Sequence, residues 1–402
     1  MIKKLAQPNL STHPQRTALY PAENPPLDRT DSTISVTEPW LGPEEMASIQ
    51  RAVETGFISS AGPAVEEFEA ALAAQCETDH AIAVSSGTHG LDLLMYALGV
   101  GPGDEVIVPA LTFISVGACV VRAGAQPIFV DVDKDSLVMS ADTVRNAITD
   151  KTVGMIPVHT YGHPCAMNEL NALANDHGLF VLEDACEALG ARTEEAPVGG
   201  LGDVGVHSFY ANKMITTGNG GALTTNHAEL AKLLRELRGY SYSPGRFFWH
   251  EHMPFNIRMS ALQAAVGTVQ LQKLEEIVTQ RQWLAIQYQL HLSDLPGITL
   301  PTDCSSGRHA YWMYTIHVDP EEAGLDASTL RAILAENGIE TRPVFTPLHV
   351  QPILQTSAKP QGPFPASEWA AQTGINLPSS YGLSADQIKA ICTVIRRSIS
   401  NA

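Results

Sequence analysis

The sequence is short of positive charge. Its 402 residues include 25 Lys and Arg against 43 Asp and Glu, which gives a formal net charge of −18. A protein that binds nucleic acid or an anionic membrane needs a broad basic face, so this balance excludes both as the main partner. A phosphorylated small molecule needs only a few local donors and is not excluded.

Long apolar runs and paired cysteines are missing as well. No stretch reaches the about 20 apolar residues of a membrane-spanning helix, and the N-terminus lacks the apolar core of a secretory signal. The six cysteines are scattered without a Cys-x-x-Cys spacing, which argues against a zinc site or a disulfide framework. We therefore expect a cytoplasmic protein with reduced thiols.

What is present is enough apolar sequence for a sizeable core, at 44% hydrophobic residues. Residues 1–32 are rich in Pro, Ser and Thr and show no period, which predicts a flexible or loosely docked N-terminal arm. From residue 33 onward, short apolar runs alternate with amphipathic segments. The runs that predict strands are AIAV, EVIVPA, PIFVDVD, VGMIPVH, LFVLEDA, VGVHSF and GALTT.

This alternation predicts an α/β fold. Continuous apolar runs separated by helices are typical of a mostly parallel central sheet with helices on both faces. After Asn256 the pattern predicts one long helix over residues 260–290, followed by new strands and helices. We therefore expect a large α/β domain over residues 33–270 and a smaller C-terminal α+β domain over residues 271–402.

Ligands of such sheets collect outside the carboxyl ends of the strands, so the residues after each run are candidates for a site. AIAV is followed by Ser86, Gly87 and Thr88, small residues that open a helix and favour a phosphate. An ordinary N-cap at Ser86 or Thr88 is the alternative. EVIVPAL is followed by Phe113, which either covers a flat cofactor or packs in the core.

Two ionisable residues follow later runs. Asp184 ends LFVLED, where it either pairs with a cationic group or caps the next turn. Lys213 comes after VGVHSF, where it is either solvated or desolvated enough for Schiff-base chemistry. A phosphate turn, an aromatic face, a buried carboxylate and an amine are together what pyridoxal 5′-phosphate requires.

The chain resembles the sugar aminotransferases of the DegT/DnrJ/EryC1/StrS family, which are fold type I pyridoxal-phosphate enzymes, from about residue 33 to residue 399. The motifs follow one another in unbroken order. They are FEAALAAQCETDHAIAVSSGT, GPGDEVIVPALTF, PVHTYGHP, LEDACEALGA, GDVGVHSFYANKMITTGNGGALTTN, FNIRMSALQAAVG and TRPVFTPLH.

This resemblance implies roles for the cofactor residues. Lys213 is expected to bind the cofactor covalently and then to carry the proton, and Asp184 to hold the pyridine nitrogen protonated. Asn256 is expected to reach the phosphate of the neighbouring subunit, so a homodimer with shared sites is implied. The expected cofactor residues are Ser86, Gly87, Thr88, Phe113, Asp184, Glu187, Ser208, Lys213 and Asn256.

The resemblance also implies the substrates. These are L-glutamate as the amino donor and a nucleotide-linked keto sugar as the acceptor. An arginine suits a diphosphate because it makes two parallel hydrogen bonds. The expected substrate residues, each with an ordinary structural role as the alternative, are Ser59, Ser60, Arg246, Arg342 and His349.

Three further points qualify this interpretation. Asn219 stands where the family usually has Glu. His159 and His163 have the spacing of metal ligands on a helix, but Gly162 and Pro164 make a turn the better prediction, and no metal is expected.

The rival functions are a sugar dehydratase, against which Lys213 argues because those enzymes carry histidine there, and a cofactor-binding protein without turnover.

Overall fold

The computed structural model describes residues 33–240, 246, 248–304, 307–355 and 362–400. The arm predicted for residues 1–32 lies outside this part of the chain. Among the described residues, no helix combines the length and the apolar character that crossing a membrane demands.

Seven strands form the sheet on which the site is built, in the order β1-β7-β6-β5-β4-β2-β3. They are β1 His80–Val84, β2 Glu105–Pro109, β3 Gln126–Val130, β4 Thr152–Met155, β5 Phe180–Asp184, β6 Val204–Ser208 and β7 Gly221–Thr225. The five strands from β6 to β3 are parallel, which confirms the prediction, whereas β7 is antiparallel to both of its neighbours. Buried strands of either direction have the same apolar pattern, so the sequence could not show this reversal.

Helices cover both faces of this sheet. Alternate side chains of β1 enter two different clusters, with Ala83 beside Phe68 on one face and Ile82 beside Leu94 on the other. The helices of the described residues are α1 Pro43–Thr55, α2 Pro63–Gln75, α3 Gly87–Ala97, α4 Ile114–Arg122, α5 Ala141–Arg145, α6 Met167–His177, α7 Ala228–Leu237, α8 Ala261–Gln272, α9 Leu274–Leu292, α10 Pro320–Ala323, α11 Ala327–Glu336, α12 Pro352–Gln355, α13 Pro365–Thr373 and α14 Ala385–Ser400.

The C-terminal part of the chain builds a second, antiparallel sheet. Its strands are β8 Ile298–Thr299, β9 Tyr314–Val318, β10 Arg342–Pro343 and β11 Gly374–Leu377, in the order β10-β11-β9-β8. Buried side chains of α9, α11 and α14 pack against it in one cluster that includes Tyr288, Leu330 and Ile391. The domain boundary near residue 270 stays a prediction.

The long helix predicted for residues 260–290 is wrong, because the structure has two helices there. Helix α8 ends at Gln272 and α9 begins at Leu274, with Lys273 between them. The Lys273 amine lies 2.8 Å from Glu45 Oε1 and 3.2 Å from Glu44 Oε2 at the start of α1. Neither Gly nor Pro marks the break, so its cause is tertiary contact that the local pattern does not carry.

Candidate active site

A cavity of about 380 Å³ lies between the carboxyl ends of the seven-stranded sheet and the four-stranded sheet. The last residues of β5 and β6, and Ser86 two residues after β1, line it, as expected for ligand sites of open α/β sheets. The predicted site residues on its wall are Ser86, Gly87, Thr88, Phe113, Asp184, Glu187, Ser208, Lys213 and Arg342.

One end of the cavity is suited to an anion. Ser86 is the N-cap of α3, and its hydroxyl accepts a hydrogen bond from the backbone N–H of His89 at 3.1 Å. The predicted N-cap is therefore present, and the start of the helix also faces the cavity. A Cβ atom on Gly87 would lie 2.8 Å from Cys186 Sγ, so glycine lets the helix start approach closely. Thr88 and Ser208 add hydroxyl groups, which completes an anion-binding turn.

Asp184 ends β5 and is buried. Its Oδ1 accepts a hydrogen bond from the backbone N–H of Cys186 at 3.0 Å, so the predicted turn cap is present too. Burial raises the pKa of the Asp184 carboxyl, while the hydrogen bonds of Cys186 and the charge of Lys213 act against this rise. A cationic partner in the cavity would stabilise the ionised form of this carboxylate.

Lys213 lies in the loop after β6, with its side chain 14% exposed. Its amine is 4.0 Å from Glu187 Oε1 and 3.8 Å from the centroid of the Trp312 ring. Burial raises the pKa of Glu187 to about 7, although the charge of Lys213 and the backbone N–H of Tyr161, 2.9 Å from Oε2, oppose the rise. A carboxyl group that exchanges its proton near neutral pH therefore faces the amine.

Four aromatic rings form a row along the cavity wall. Phe113 precedes α4 and is 53% exposed, and its ring lies edge-on to Phe345 at 6.1 Å. Tyr161 stacks against Phe345 at 5.1 Å and against Trp312 at 6.1 Å. A flat ligand in the cavity would meet aromatic faces and edges along this row, which we call the aromatic row (Phe113, Phe345, Tyr161 and Trp312).

Tyr161 and Trp312 are not among the site residues predicted from the sequence. Tyr161 follows β4 by six residues, so the rule of inspecting strand ends could have found it. Trp312 comes just before β9, in a run that predicts nothing more than a strand, and only the fold brings it to Lys213. Its indole N–H donates a hydrogen bond of 2.6 Å to the carbonyl of Asn212, the neighbour of Lys213.

Several predicted residues lie away from this cavity. Ser59 and Ser60 are in the turn after α1, Arg246 is exposed beside Trp249, and the Asn256 amide donates a hydrogen bond to the Tyr240 hydroxyl. His349 Nε2 is 3.0 Å from Glu368 Oε1. Residues 241–245 and 247, which flank Arg246, lie outside the described residues, and the roles of all the predicted residues in this paragraph stay predictions.

The predicted turn between the two histidines is confirmed, because a 3-10 turn covers Thr160–Gly162. His159 Nε2 lies 3.0 Å from Glu183 Oε2, and both side chains are fully buried. Glu183 also accepts hydrogen bonds from backbone N–H groups of residues 199, 201 and 202. Glu183, paired with His159, therefore holds the loop between β5 and β6, next to Asp184 in the chain. Asn219 lines the cavity, and its backbone carbonyl accepts from Thr217.

The cavity residues fit pyridoxal 5′-phosphate. Two buried polar atoms on its wall, Thr112 Oγ1 and Asn212 Oδ1, have no hydrogen-bond partner within the described part of the chain. Unpaired buried polar atoms are costly, so a bound group with complementary atoms would stabilise them. The anion-binding turn, Asp184, the aromatic row and Lys213 match the phosphate, the pyridine nitrogen, the ring and the aldehyde of this cofactor.

The chain is similar to known aminotransferases along most of its length. A model of the DegT/DnrJ/EryC1/StrS aminotransferase family matches residues 39–396. GDP-perosamine synthase from Caulobacter vibrioides is 38% identical over 367 residues, covering 90% of this chain and 97% of that protein. The dTDP-3-amino-3,4,6-trideoxy-α-D-glucose transaminase of Streptomyces venezuelae is 36% identical over 377 residues, covering 93% and 97%.

The structure is similar to solved aminotransferase structures as well. DesV from S. venezuelae superposes with a TM-score of 0.84 at 36% identity, covering 89% of this chain and 95% of that one. The predicted α/β fold of a pyridoxal-phosphate aminotransferase is thereby confirmed. The chain belongs to the DegT/DnrJ/EryC1/StrS aminotransferase family and is a pyridoxal 5′-phosphate-dependent aminotransferase that acts on sugars.

Proposed function

We propose that this aminotransferase moves the amino group of L-glutamate to C4 of GDP-4-keto-6-deoxy-D-mannose, giving GDP-perosamine, a glycan precursor. The observation that carries this choice of acceptor is the 38% identity with a GDP-perosamine synthase along 90% of the chain. A protein of that name from Vibrio cholerae is 36% identical over a similar span. The geometry of the cavity supports the amino transfer.

Bound pyridoxal 5′-phosphate supplies an aldehyde that takes up the amino group and a ring that accepts electrons from the substrate carbon. The start of α3, with Thr88 and Ser208, binds the phosphate. Asp184 keeps the pyridine nitrogen protonated, because its buried carboxylate needs a positive partner. Phe113 covers one face of the ring from its exposed position at the start of α4.

Lys213 does the proton transfer in this proposal. Its amine reaches the cavity from one side, and Glu187 and Trp312 hold it there through charge and the face of the indole. In each of the two half-reactions, the free amine would move a proton between the substrate carbon and the cofactor. Glu187 is the neighbouring group that can store a proton near neutral pH.

Arg342 serves the acceptor. It stands on β10, on the side of the cavity that the four-stranded sheet provides, where its guanidinium can make paired hydrogen bonds with a diphosphate. We further propose a homodimer in which Asn256 reaches the phosphate of the partner's site. Ser59, Ser60 and Arg246 would then contact the nucleotide sugar from outside the chain's own cavity, and His349 keeps its predicted contact with the sugar.

A second acceptor is favoured by a specific observation. The relative that is a dTDP-3-amino-3,4,6-trideoxy-α-D-glucose transaminase is 36% identical, close to the value for the GDP-perosamine synthases. An acceptor linked to dTDP or UDP, aminated at C3 or C4, is therefore the alternative. A sugar dehydratase is a weaker rival because of Lys213, and a binding protein without turnover is another.

A two-stage screen tests the proposal. In the first stage, the enzyme with cofactor receives L-glutamate, D-glutamate, L-glutamine or L-aspartate, and the loss of visible absorbance and the 2-oxo acid formed are measured. In the second stage, GDP-, dTDP- and UDP-linked 4-keto-6-deoxy sugars are added to the aminated enzyme in separate samples. With ¹⁵N-glutamate, mass spectrometry detects the amino sugar, and NMR locates the labelled carbon.

The expected result is a response to L-glutamate and the fastest return of absorbance with the GDP sugar, with ¹⁵N at C4. The Lys213→Ala variant is the blank for both stages. Faster turnover of a dTDP or UDP sugar would replace the acceptor but keep the aminotransferase. Release of ammonia without amino sugar would instead favour the dehydratase.

A further inference from the structure

Tyr161 occupies an unusual place beside the cavity. It lies in the 3-10 turn Thr160–Gly162 with a φ of 54° and a ψ of 13°, a left-handed conformation that is rare outside glycine. Its side chain is nevertheless buried, at 4% exposure. A strained backbone that persists in a packed site is a reason to ask what the residue holds in place.

The contacts of Tyr161 reach both halves of the site. On the side of the seven-stranded sheet, its backbone N–H donates a hydrogen bond of 2.9 Å to Glu187, which faces Lys213. On the side of the four-stranded sheet, its hydroxyl accepts a hydrogen bond of 3.1 Å from the backbone N–H of Phe345. Its ring stacks between Phe345 and Trp312. Tyr161 therefore joins the residue next to the amine to the segment that follows Arg342.

Strand pairing and side chains both hold that segment, because Arg342 and Pro343 pair with Asn376 and Ile375 of β11. Strand β10 ends at Pro343, and the Asn376 amide donates a hydrogen bond of 3.2 Å to the carbonyl of this proline. Beyond the strand, the N–H of Phe345 has the Tyr161 hydroxyl as its partner. Asn376 itself is fixed because its Oδ1 accepts a hydrogen bond of 2.6 Å from the Thr315 hydroxyl on β9. Strand pairing and the Asn376 amide thus secure the start of the short piece of chain that carries Arg342, and the Tyr161 hydroxyl secures its end at Phe345.

We propose that Tyr161 is a positioning residue, which holds residues 342–345 at the distance from Lys213 that the acceptor sugar requires. The hydroxyl of Tyr161 sets the width of the cavity on the side of Arg342, and the ring keeps the aromatic row together. The inference rests on the proposed function in one respect, namely that a nucleotide keto sugar is bound on this side. The L-glutamate half-reaction uses Asp184 and Lys213 but no contact with a diphosphate, so we expect it not to depend on this hydroxyl.

Tyr161→Phe tests the inference because it removes the hydroxyl and keeps the ring. The matched control is Tyr288→Phe, since the buried Tyr288 hydroxyl also bonds a backbone group, the carbonyl of Pro378 at 2.9 Å, in the core of the four-stranded sheet. A purely structural role predicts similar losses of thermal stability and similar kinetics for the two variants. A positioning role predicts a difference between the two half-reactions.

Two readouts are compared in the enzyme with cofactor. Hydrogen–deuterium exchange of the peptide covering residues 342–348 should become faster in Tyr161→Phe and stay unchanged in Tyr288→Phe. The KM of the acceptor half-reaction should rise about three- to tenfold in Tyr161→Phe, the range that a neutral hydrogen bond contributes, with the L-glutamate half-reaction unchanged. The acceptor is whichever keto sugar the screen identifies, so a different nucleotide does not affect this test.

Unchanged exchange of that peptide in Tyr161→Phe would overturn the inference. Equal slowing of both half-reactions, as a general loss of packing would give, would overturn it too. If the unmodified enzyme did not react with L-glutamate, the aminotransferase function would be refuted instead. The exchange measurement would still report on the Tyr161 hydrogen bond.

Discussion

The Nζ atom of Lys213 lies 4.0 Å from Oε1 of Glu187, so an amine and a buried carboxyl group are neighbours in the cavity wall. The two groups come from loops after different strands, β6 and β5, that end at the same edge of the sheet. Their spacing is that of a weak ion pair without a direct hydrogen bond. The amine therefore remains free to turn toward a ligand.

Replacing the amine tests the covalent role of Lys213. Lys213→Ala should lose the visible absorbance of the covalently held cofactor and all amino transfer, because neither the bond nor the proton carrier is left. The measurement is an absorbance spectrum, together with the protein mass after borohydride reduction. Lys151→Ala, at an exposed site, is the control. Amino transfer in Lys213→Ala at the normal rate would contradict the assignment.

Asp184→Asn tests the pairing with the pyridine nitrogen. The amide keeps an oxygen that can accept from the Cys186 N–H but loses the charge that stabilises a protonated ring. We expect the cofactor to stay bound while kcat falls by orders of magnitude, measured by absorbance and by steady-state turnover. Asp203→Asn, at the opposite end of β6, should keep its rate. An unchanged kcat in Asp184→Asn would remove this residue from the mechanism.

The raised pKa of Glu187 predicts a pH dependence of stability. Between its ordinary value of 4.5 and the folded value of about 7, the folded chain holds a proton that the unfolded chain has released. Stability contributed by this group therefore falls as pH rises through this window, by about 3 kcal/mol in total. Glu187→Gln lacks this carboxyl group. Its free energy of unfolding should therefore rise relative to that of the unmodified protein as pH rises from about 5 to about 8.

Urea unfolding of the cofactor-free protein at both pH values measures this effect. Glu54→Gln is the control, because Glu54 is exposed on α1 and its substitution should leave the pH dependence as it was. Identical pH dependence in Glu187→Gln and in the unmodified protein would show that the carboxyl group does not titrate in this range.

Thr112 and Thr341 form a matched pair for testing the cofactor fit. Both hydroxyls are buried and lack a hydrogen-bond partner within the described residues, but Thr112 alone of the two lines the cavity. Thr112→Val should weaken the binding of pyridoxal 5′-phosphate about three- to tenfold, the loss expected for one hydrogen bond. Thr341→Val should leave it unchanged. Equal affinities in equilibrium dialysis would mean that the Thr112 hydroxyl does not contact the cofactor.

Much of the site could be predicted because its residues follow strands. Ser86, Asp184 and Ser208 stand at the ends of β1, β5 and β6, and parallel strands bring such residues to one edge. Trp312 could not be predicted in this way, because it lies two residues before β9, a strand of the other sheet. Its contact with Lys213 joins residues far apart in the chain, and local sequence patterns carry no information on such pairs.

The fold shows the same limit. The order of helices and strands follows from periods that each segment carries in itself. The direction of β7 and the break at Lys273 depend on partners elsewhere, in β6 and in α1. Local sequence patterns therefore could not show either feature, although the predicted mostly parallel sheet is confirmed and only the single long helix is wrong. The chemistry of the site was less affected, since the antiparallel strand β7 does not deliver a predicted site residue.

Lys273 has a mechanical consequence. Helix α8 ends and α9 begins in the cluster beside the seven-stranded sheet, and two acidic side chains of α1 hold the amine of the residue between them. Only the later turns of α9, from Leu284 to Leu292, pack in the cluster of the four-stranded sheet. A joint of a single residue leaves two backbone dihedral angles for bending. These two angles do not separate the sheets, because α9 is continuous from one cluster to the other and any bend between them has to bend this helix.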